Sequence, residues 1–200
     1  SESNVPAAVS VQALPVLPTP EAVKLMDQTV NRRPICIDLF AGAGGLALGF
    51  EQAGFDVVAA VEYDPIHAAT HALNFPETKV LCRDIRAVSG KDIRSAAGIG
   101  RQMIDVVVGG PPCQGFSLIG HRILEDPRNE LVFHFVRIVD ELRPRTFVFE
   151  NVAGMAAGDH HRLLDELLEE FEGIGYQVRH PYRILNSSLF GVPQDRRRLI

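Results

Sequence analysis

The chain reads as an α/β domain on a mostly parallel, doubly wound sheet with helices on both faces. Three observations point there. From Pro34 onward, short apolar runs of strand length alternate with amphipathic stretches of helix length. Most of those runs end in glycine, proline or an acid, as expected where open parallel sheets bind ligands. The 200 residues also suit one domain with a full core.

The elements follow in order. Residues 1–33 are rich in Ala, Val, Pro and Ser, and Pro6, Pro15, Pro18 and Pro20 interrupt them, so they read as a flexible arm. Glu21 to Val30 could add a turn or two of helix. Ile35 to Phe40 is a strand, and Gly44 to Ala53 a helix stopped by Gly54. Val57 to Glu62 is the second strand, and Pro65 to Asn74 a helix with proline in its first turn. Lys79 to Cys82 and Ile104 to Val108 are the third and fourth strands. Arg128 to Leu142 is a helix with Leu131, Phe135, Ile138, Val139 and Leu142 on one face. Thr146 to Phe149 is the fifth strand, and His160 to Phe171 an amphipathic helix ended by Gly173. Tyr176 to Leu185 and Arg198 to Ile200 are read as two more strands.

Composition narrows the class. The apolar fraction of 46% and charged fraction of 22% are those of a globular protein, and no apolar run nears the ~20 residues of a membrane span. Cys36, Cys82 and Cys113 are odd in number and lack CxxC spacing, which indicates neither a disulfide framework nor a zinc site. A reducing cytoplasm is the expected compartment. The net charge of −5 does not advertise nucleic-acid binding, yet Arg179 to Ile200 holds five arginines and one acid. Cys36 and Cys82 read as core. His67 and His71 have i,i+4 spacing without a third ligand, so no metal is expected.

The strand ends carry the chemistry. After the first comes Phe40-Ala41-Gly42-Ala43-Gly44-Gly45, a turn that lets a ligand lie against backbone and a helix N-terminus. It is neither GxGxxG nor a P-loop. The second strand ends in Glu62-Tyr63. Glu62 stands 20 residues past Gly42, placed to accept from ribose hydroxyls, with Tyr63 available to stack on a purine. The third gives Asp84-Ile85, an acid for an adenine amino group beside an aliphatic cover. Ribose and adenine contacts without a pyrophosphate motif fit S-adenosylmethionine. The fourth gives Gly109-Gly110-Pro111-Pro112-Cys113-Gln114, where two prolines fix the path to a lone cysteine. This is a mount for a nucleophile or a turn with an inert thiol. The fifth gives Glu150-Asn151-Val152, an acid partly desolvated by its apolar strand and suited to acid chemistry, or a helix cap. Alternation on a strand puts Arg196 and Arg198 on one face and Arg197 on the other.

Taken together and in order, these motifs resemble the catalytic domain of DNA (cytosine-5-)-methyltransferases. The likeness covers Pro34 to Ile200, its N-terminal part, so residues 34–200 are expected to be an incomplete methyltransferase domain. The resemblance implies a Rossmann-like S-adenosylmethionine-dependent methyltransferase fold. It implies that Cys113 adds to C6 of a flipped cytosine so that C5 attacks the methylsulfonium, leaving S-adenosylhomocysteine. Glu150 would contact N3 and N4. Arg198 would hold Glu150 or the base, Arg196 would assist at O2 or phosphate, and Asn151 would brace the Pro112-Cys113 turn. Phe40 to Gly45, Glu62, Tyr63, Asp84, Ile85, Pro112 and Leu131 would hold the cofactor. Gln114, Ser117, His121, Arg122 and Arg128 would contact DNA from a mobile loop.

The implied partner is double-stranded DNA, with no metal and no membrane, in a bacterial cytoplasm on the nucleoid. The family continues past the arginine motif into a target-recognition region and a final helix. A longer enzyme, a split enzyme whose second chain carries recognition, and an inactive cofactor-binding remnant are the three accounts of a chain ending at Ile200. A transfer-RNA cytosine-5 methyltransferase is the catalytic alternative.

Overall fold

The structure is a computed structural model that describes residues 32–112, 130–156, 161–179 and 181–200. Residues 1–31 of the expected arm, with its helical turn at Glu21 to Val30, lie outside those residues, whereas Arg33 belongs to the domain and donates to Gly54 O at 3.1 Å and Phe55 O at 2.8 Å.

Five strands form the main sheet: β1 (Ile35–Leu39), β2 (Asp56–Glu62), β3 (Lys79–Cys82), β4 (Val106–Gly109) and β5 (Thr146–Phe149). Their order is β3-β2-β1-β4-β5 and every pairing is parallel. The chain winds outward from β1 through β2 to β3, then returns to β4 on the other side of β1. The crevice at the carboxyl ends of β1 and β4 is therefore the topological switch point, where such sheets bind ligands.

Side-chain alternation divides the core. Ile35, Ile37 and Leu39 face a layer that includes Ile93, Phe135, Ile138, Leu167 and Phe171. Cys36 faces a smaller layer with Ala47, Val57, Phe75, Val106 and Val108. Helices α1 (Gly45–Gln52) and α2 (Pro65–Asn74) serve the smaller layer. The larger is served by α3 (Gly90–Ala97), α4 (Glu130–Leu142) and α5 (His161–Gly173). On α5 the acids Asp165, Glu166, Glu169, Glu170 and Glu172 face outward, as the periodicity requires.

Four differences from the sequence reading have physical reasons. Helix α3 was not foreseen, though Ser89-x-x-Asp92 announces it: the Ser89 side chain accepts from Asp92 N and the Asp92 carboxylate accepts from Ser89 N. The strand expected at Tyr176 to Leu185 shrinks to β7 (Ile184–Asn186). Pro181 cannot donate to a ladder, and Tyr176 instead packs edge-on to Phe147 and bonds Pro144 O at 2.7 Å. The last strand, β8 (Arg197–Leu199), does not join the parallel sheet but runs antiparallel between β6 (Asn151–Val152) and β7. Cys82, expected in the core, is exposed at the end of β3, an edge strand.

Two buried polar groups interrupt the smaller layer. Asp38 and His71 are both fully buried, and none of their side-chain N or O atoms makes a hydrogen bond. Burial pushes the Asp38 carboxyl up to about 7. The Ala47 N–H favours its charged form without reaching good bonding geometry, and Glu62 adds a smaller repulsion. Burial likewise keeps His71 neutral more readily than in water. Because the folded carboxyl holds its proton more tightly than the unfolded one, native stability falls as pH rises from about 4 to about 7. The slope is about 1.4 kcal/mol per pH unit for one fully linked group. Asp38→Asn removes this titration. The melting temperature of the variant minus that of wild type is expected to increase between about pH 4 and about pH 7 and to level off on either side. A difference independent of pH rejects the assignment.

Candidate active site

The turn after β1 is strained and one-sided. Phe40 has φ 56° and Gly42 φ 55°, the left-handed region that a non-glycine residue rarely adopts. A Cβ on Gly42 or Gly45 would meet no atom within 4 Å, so that backbone surface is open to a ligand. A Cβ on Gly44 would strike the Phe75 ring, so the other side is closed by the end of α2. Asn74 Nδ2 donates to Ala43 O at 3.3 Å and ties the same two segments.

Glu62 locks this turn. Its Oε2 accepts from Gly42 N at 2.7 Å and its Oε1 from Asp64 N at 2.8 Å. Each oxygen keeps a second lone pair, so the role expected toward ribose hydroxyls remains available beside a structural one. Tyr63 is 73% exposed next to it. Asp64 caps α2 by accepting from Ile66 N and His67 N, and those bonds hold its carboxyl below the usual range.

Asp84 caps the short 3₁₀ turn Ile85–Ala87 and is chelated by Arg86, whose terminal nitrogen lies 2.6 Å from Oδ2. That hydrogen bond, with the Arg86 charge, holds the Asp84 carboxyl low. An adenine amino group would share these oxygens with Arg86, a competitor that the sequence reading did not anticipate. Ile85 is 4% exposed and belongs to the core, so it is a fixed wall and not a free cover. Pro112 is half-buried. Leu131, on the first turn of α4, packs partly buried against the core.

On the other side of the switch point, β4 and β5 pair from Val106↔Thr146 to Gly109↔Phe149, and Glu150 N donates to Gly109 O at 2.9 Å. The Gly110-Pro111 and Glu150-Asn151 segments therefore leave the sheet side by side. Asn151, 3% exposed, donates from Nδ2 to Pro111 O at 3.2 Å and accepts from Val152 N at 2.8 Å. The brace thus reaches the first proline of the turn. Cys113 lies outside the described residues, as do Gln114, Ser117, His121, Arg122 and Arg128.

Glu150 is held by the arginine motif. Pairing of β6 with β8 sets Val152 opposite Arg198, and the Arg198 Nε lies 2.8 Å from Glu150 Oε1. The Arg196 guanidinium approaches the same oxygen at 3.7 Å from a more exposed position. Arginines two apart reach one carboxylate, as strand alternation requires. The Glu150 side chain is only 17% exposed, and the two guanidiniums offset the cost of bringing its charge out of water. Its Oε2 points toward Gly110, where a Cβ would stand 2.5 Å away.

Sequence reasoning missed two holding residues. Asn186 Oδ1 accepts from Arg196 N at 3.1 Å and its Nδ2 donates to Asp195 at 2.7 Å, fixing the base of the arginine motif. An Asn before Ser-Ser was the available signal. Arg137, in the middle of α4, carried none. Burial, with Asp38 adding to it, pushes the Cys36 thiol far above the ordinary thiol range, so Cys36 is no competing nucleophile. Among the described residues no cluster of three or more His, Cys, Asp or Glu could hold a metal ion. A groove of about 680 Å³ runs along all of β5, Phe149 at its end included, between α5 and the Tyr176–Arg179 and Pro181–Arg183 segments.

An open glycine turn on β1, a pinned acid after β2 and a capped acid after β3 belong to the Rossmann-like fold of S-adenosylmethionine-dependent methyltransferases. Among these, the chain belongs to the C-5 cytosine-specific DNA methylase family, which it matches over residues 35–200. It is 60% identical over 168 residues to the Type II methyltransferase M.XorII of Xanthomonas oryzae pv. oryzae, covering 84% of this chain and 40% of that protein. It is 43% identical over 167 residues to the Type II methyltransferase M1.HphI of Haemophilus parahaemolyticus, covering 82% of this chain and 44% of the relative. The chain thus spans less than half the length of these two relatives. A crystal structure from E. coli, described as a DNA modification methyltransferase encoded within a prophage, superposes with a TM-score of 0.72 at 37% identity. The match covers 83% of this chain and 45% of that one. The S. pombe Dnmt2 methyltransferase shares the fold, with a TM-score of 0.60 at 20% identity over 84% of this chain and 47% of that one.

Two variants probe this geometry. Glu62→Gln sets an amide NH₂ against the N–H of Gly42 or Asp64, and is expected to lower stability by about 1–3 kcal/mol in urea unfolding. Gly110→Ala crowds Glu150 Oε2 away from the strand-end crevice. It is expected to lower stability by about 1–3 kcal/mol in urea unfolding, because the added Cβ forces the Glu150 carboxylate or the backbone to move.

Proposed function

We propose that this chain is the catalytic portion of a DNA cytosine-5 methyltransferase acting in restriction–modification. The observation that carries the reading is the Glu150–Arg198 pair, hydrogen-bonded through β5 to the strand end that leads into Pro111-Pro112-Cys113. The open face at Gly42 and Gly45 fits S-adenosylmethionine, since any side chain there would fill the cradle. Phe40 to Gly45, Glu62 and Tyr63 would hold its methionine and ribose portions, Asp84 and Ile85 its adenine, and Pro112 and Leu131 would close the pocket. The cofactor supplies an electrophilic methyl group.

The chain supplies everything that makes cytosine C5 nucleophilic. The Cys113 thiolate adds to C6, and the two prolines fix its approach. Glu150 meets the charge that enters the ring. Arg198 occupies Oε1 and so leaves Oε2 free to engage N3 and N4. Arg196, half-exposed, is free to reach O2 or a phosphate as well. A base then removes the C5 proton and Cys113 departs. The target atoms are inaccessible inside a duplex, so the cytosine leaves the stack at a cost of a few kcal/mol. Ser117, His121, Arg122 and Arg128 would hold the surrounding phosphates, and Gln114 would also contact DNA.

The test uses the full chain together with any recognition region or partner that completes it. Label from tritiated S-adenosylmethionine is expected in cytosine-containing DNA, and duplex carrying 5-fluorocytosine should form a covalent adduct stable to denaturation. Cys113→Ala should abolish both, and Glu150→Gln should reduce transfer at least a hundredfold while cofactor binding persists. Cofactor binding without adduct in the complete assembly rejects the catalytic reading in favour of a binding module.

A further inference from the structure

Arg137 lies far from the strand-end crevice in sequence, yet every nitrogen of its guanidinium is committed. One terminal nitrogen donates to Ile85 O at 2.8 Å and to Val88 O at 3.0 Å. The other donates to Glu141 Oε1 at 2.6 Å, and Nε donates to His134 Nδ1 at 3.1 Å. The second Glu141 oxygen accepts from Gly90 N at 2.6 Å. Two side chains of α4 thus grip the backbone at residues 85, 88 and 90, about 50 positions away in sequence.

The gripped segment begins at Asp84, the cap of the 3₁₀ turn, so fixing the carbonyls of Ile85 and Val88 fixes where the Asp84 carboxylate points. The fit between α3 and α4 is close: a Cβ on Gly90 would stand 2.9 Å from Glu141 Cβ. A planar fork suits this work. It reaches two carbonyls and a carboxylate at once, whereas an ammonium is a point donor on a flexible stem.

We propose that Arg137 is a positioning residue that sets the adenine-reading edge of the cofactor site by clamping the Asp84–Val88 turn to α4, with Glu141 orienting the clamp. This rests on the cofactor reading above. Removing the guanidinium takes a donor from two carbonyls, of which Ile85 O keeps the Val88 N–H at 3.2 Å, and lets the turn shift, so discrimination at the purine 6-position suffers beyond any loss of stability.

The experiment measures, by calorimetry on the full chain, the ratio of affinities for S-adenosylhomocysteine and S-inosylhomocysteine, which differ at the purine 6-position. Arg137→Met is expected to lower that ratio at least fivefold and Arg137→Lys to lower it less. Val139→Ala, a core truncation on the same helix, should lower the melting temperature with the ratio intact. An unchanged ratio in Arg137→Met overturns the proposal. If that variant does not fold, an unchanged ratio in Arg137→Lys overturns it. If Asp84→Ala leaves the ratio at its wild-type value, the cofactor reading itself fails, and this proposal with it.

Discussion

The contact between β1 and β4 at Leu39 and Gly109 is the constraint on which the rest of the site depends. A Cβ on Gly109 would stand 2.5 Å from Leu39 O and 3.0 Å from the Phe135 ring. Only glycine lets these two strands finish side by side under α4. That junction separates the turn carrying Gly42 from the turn carrying Pro111, and it lies where the strand order reverses. Both turns are thereby brought to one crevice, the glycine turn on the β1 side and the Gly110-Pro111 turn on the β4 side.

Each half is organised around a carboxylate that is not left to solvent. Glu62 is fixed by two backbone N–H groups, and Glu150 by one close arginine and a second at longer reach. The difference suits their tasks. Backbone donors belong to the turn itself, so Glu62 cannot move without moving the cradle. Arginine side chains hold a charge while letting it reorient by small rotations, as the proposed role of Glu150 would require. Asp38 is the contrasting case. It lies fully buried with no such partners, and its proton is the compensation.

Much of this was legible in the sequence because ligand groups in a parallel sheet cluster at strand ends, and strand ends are easy to find. The glycine turn, Glu62, Asp84 and Glu150 could each be read off the residues that close an apolar run, and the arginine motif off the entry to the last strand. The order of β1 to β5 in space was not, since periodicity says which face is buried and not which strand is the neighbour. The antiparallel trio β6-β8-β7 escaped for another reason. Its strands have two or three residues each, too short to show alternation. Arg137 and Asn186 escaped because a residue that holds backbone from a distance has no local signature. The chelation of Asp84 by Arg86 was visible only as spacing, and spacing alone does not reveal that the two side chains fold onto each other.

The closed side of the glycine turn carries a consequence for inheritance. The Phe75 ring occupies the place that a side chain at Gly44 would need, and it also packs against the buried His71 ring at 4.9 Å. Gly44 itself has φ 99°, so the position is demanding on two counts. Any lineage that enlarges residue 44 must first shrink residue 75, and shrinking residue 75 opens a void beside an imidazole that has no hydrogen-bond partner. Positions 44, 71 and 75 are therefore sterically tied to one another. They make one packing unit, although one sits on α2, one caps it and the third lies in the glycine turn.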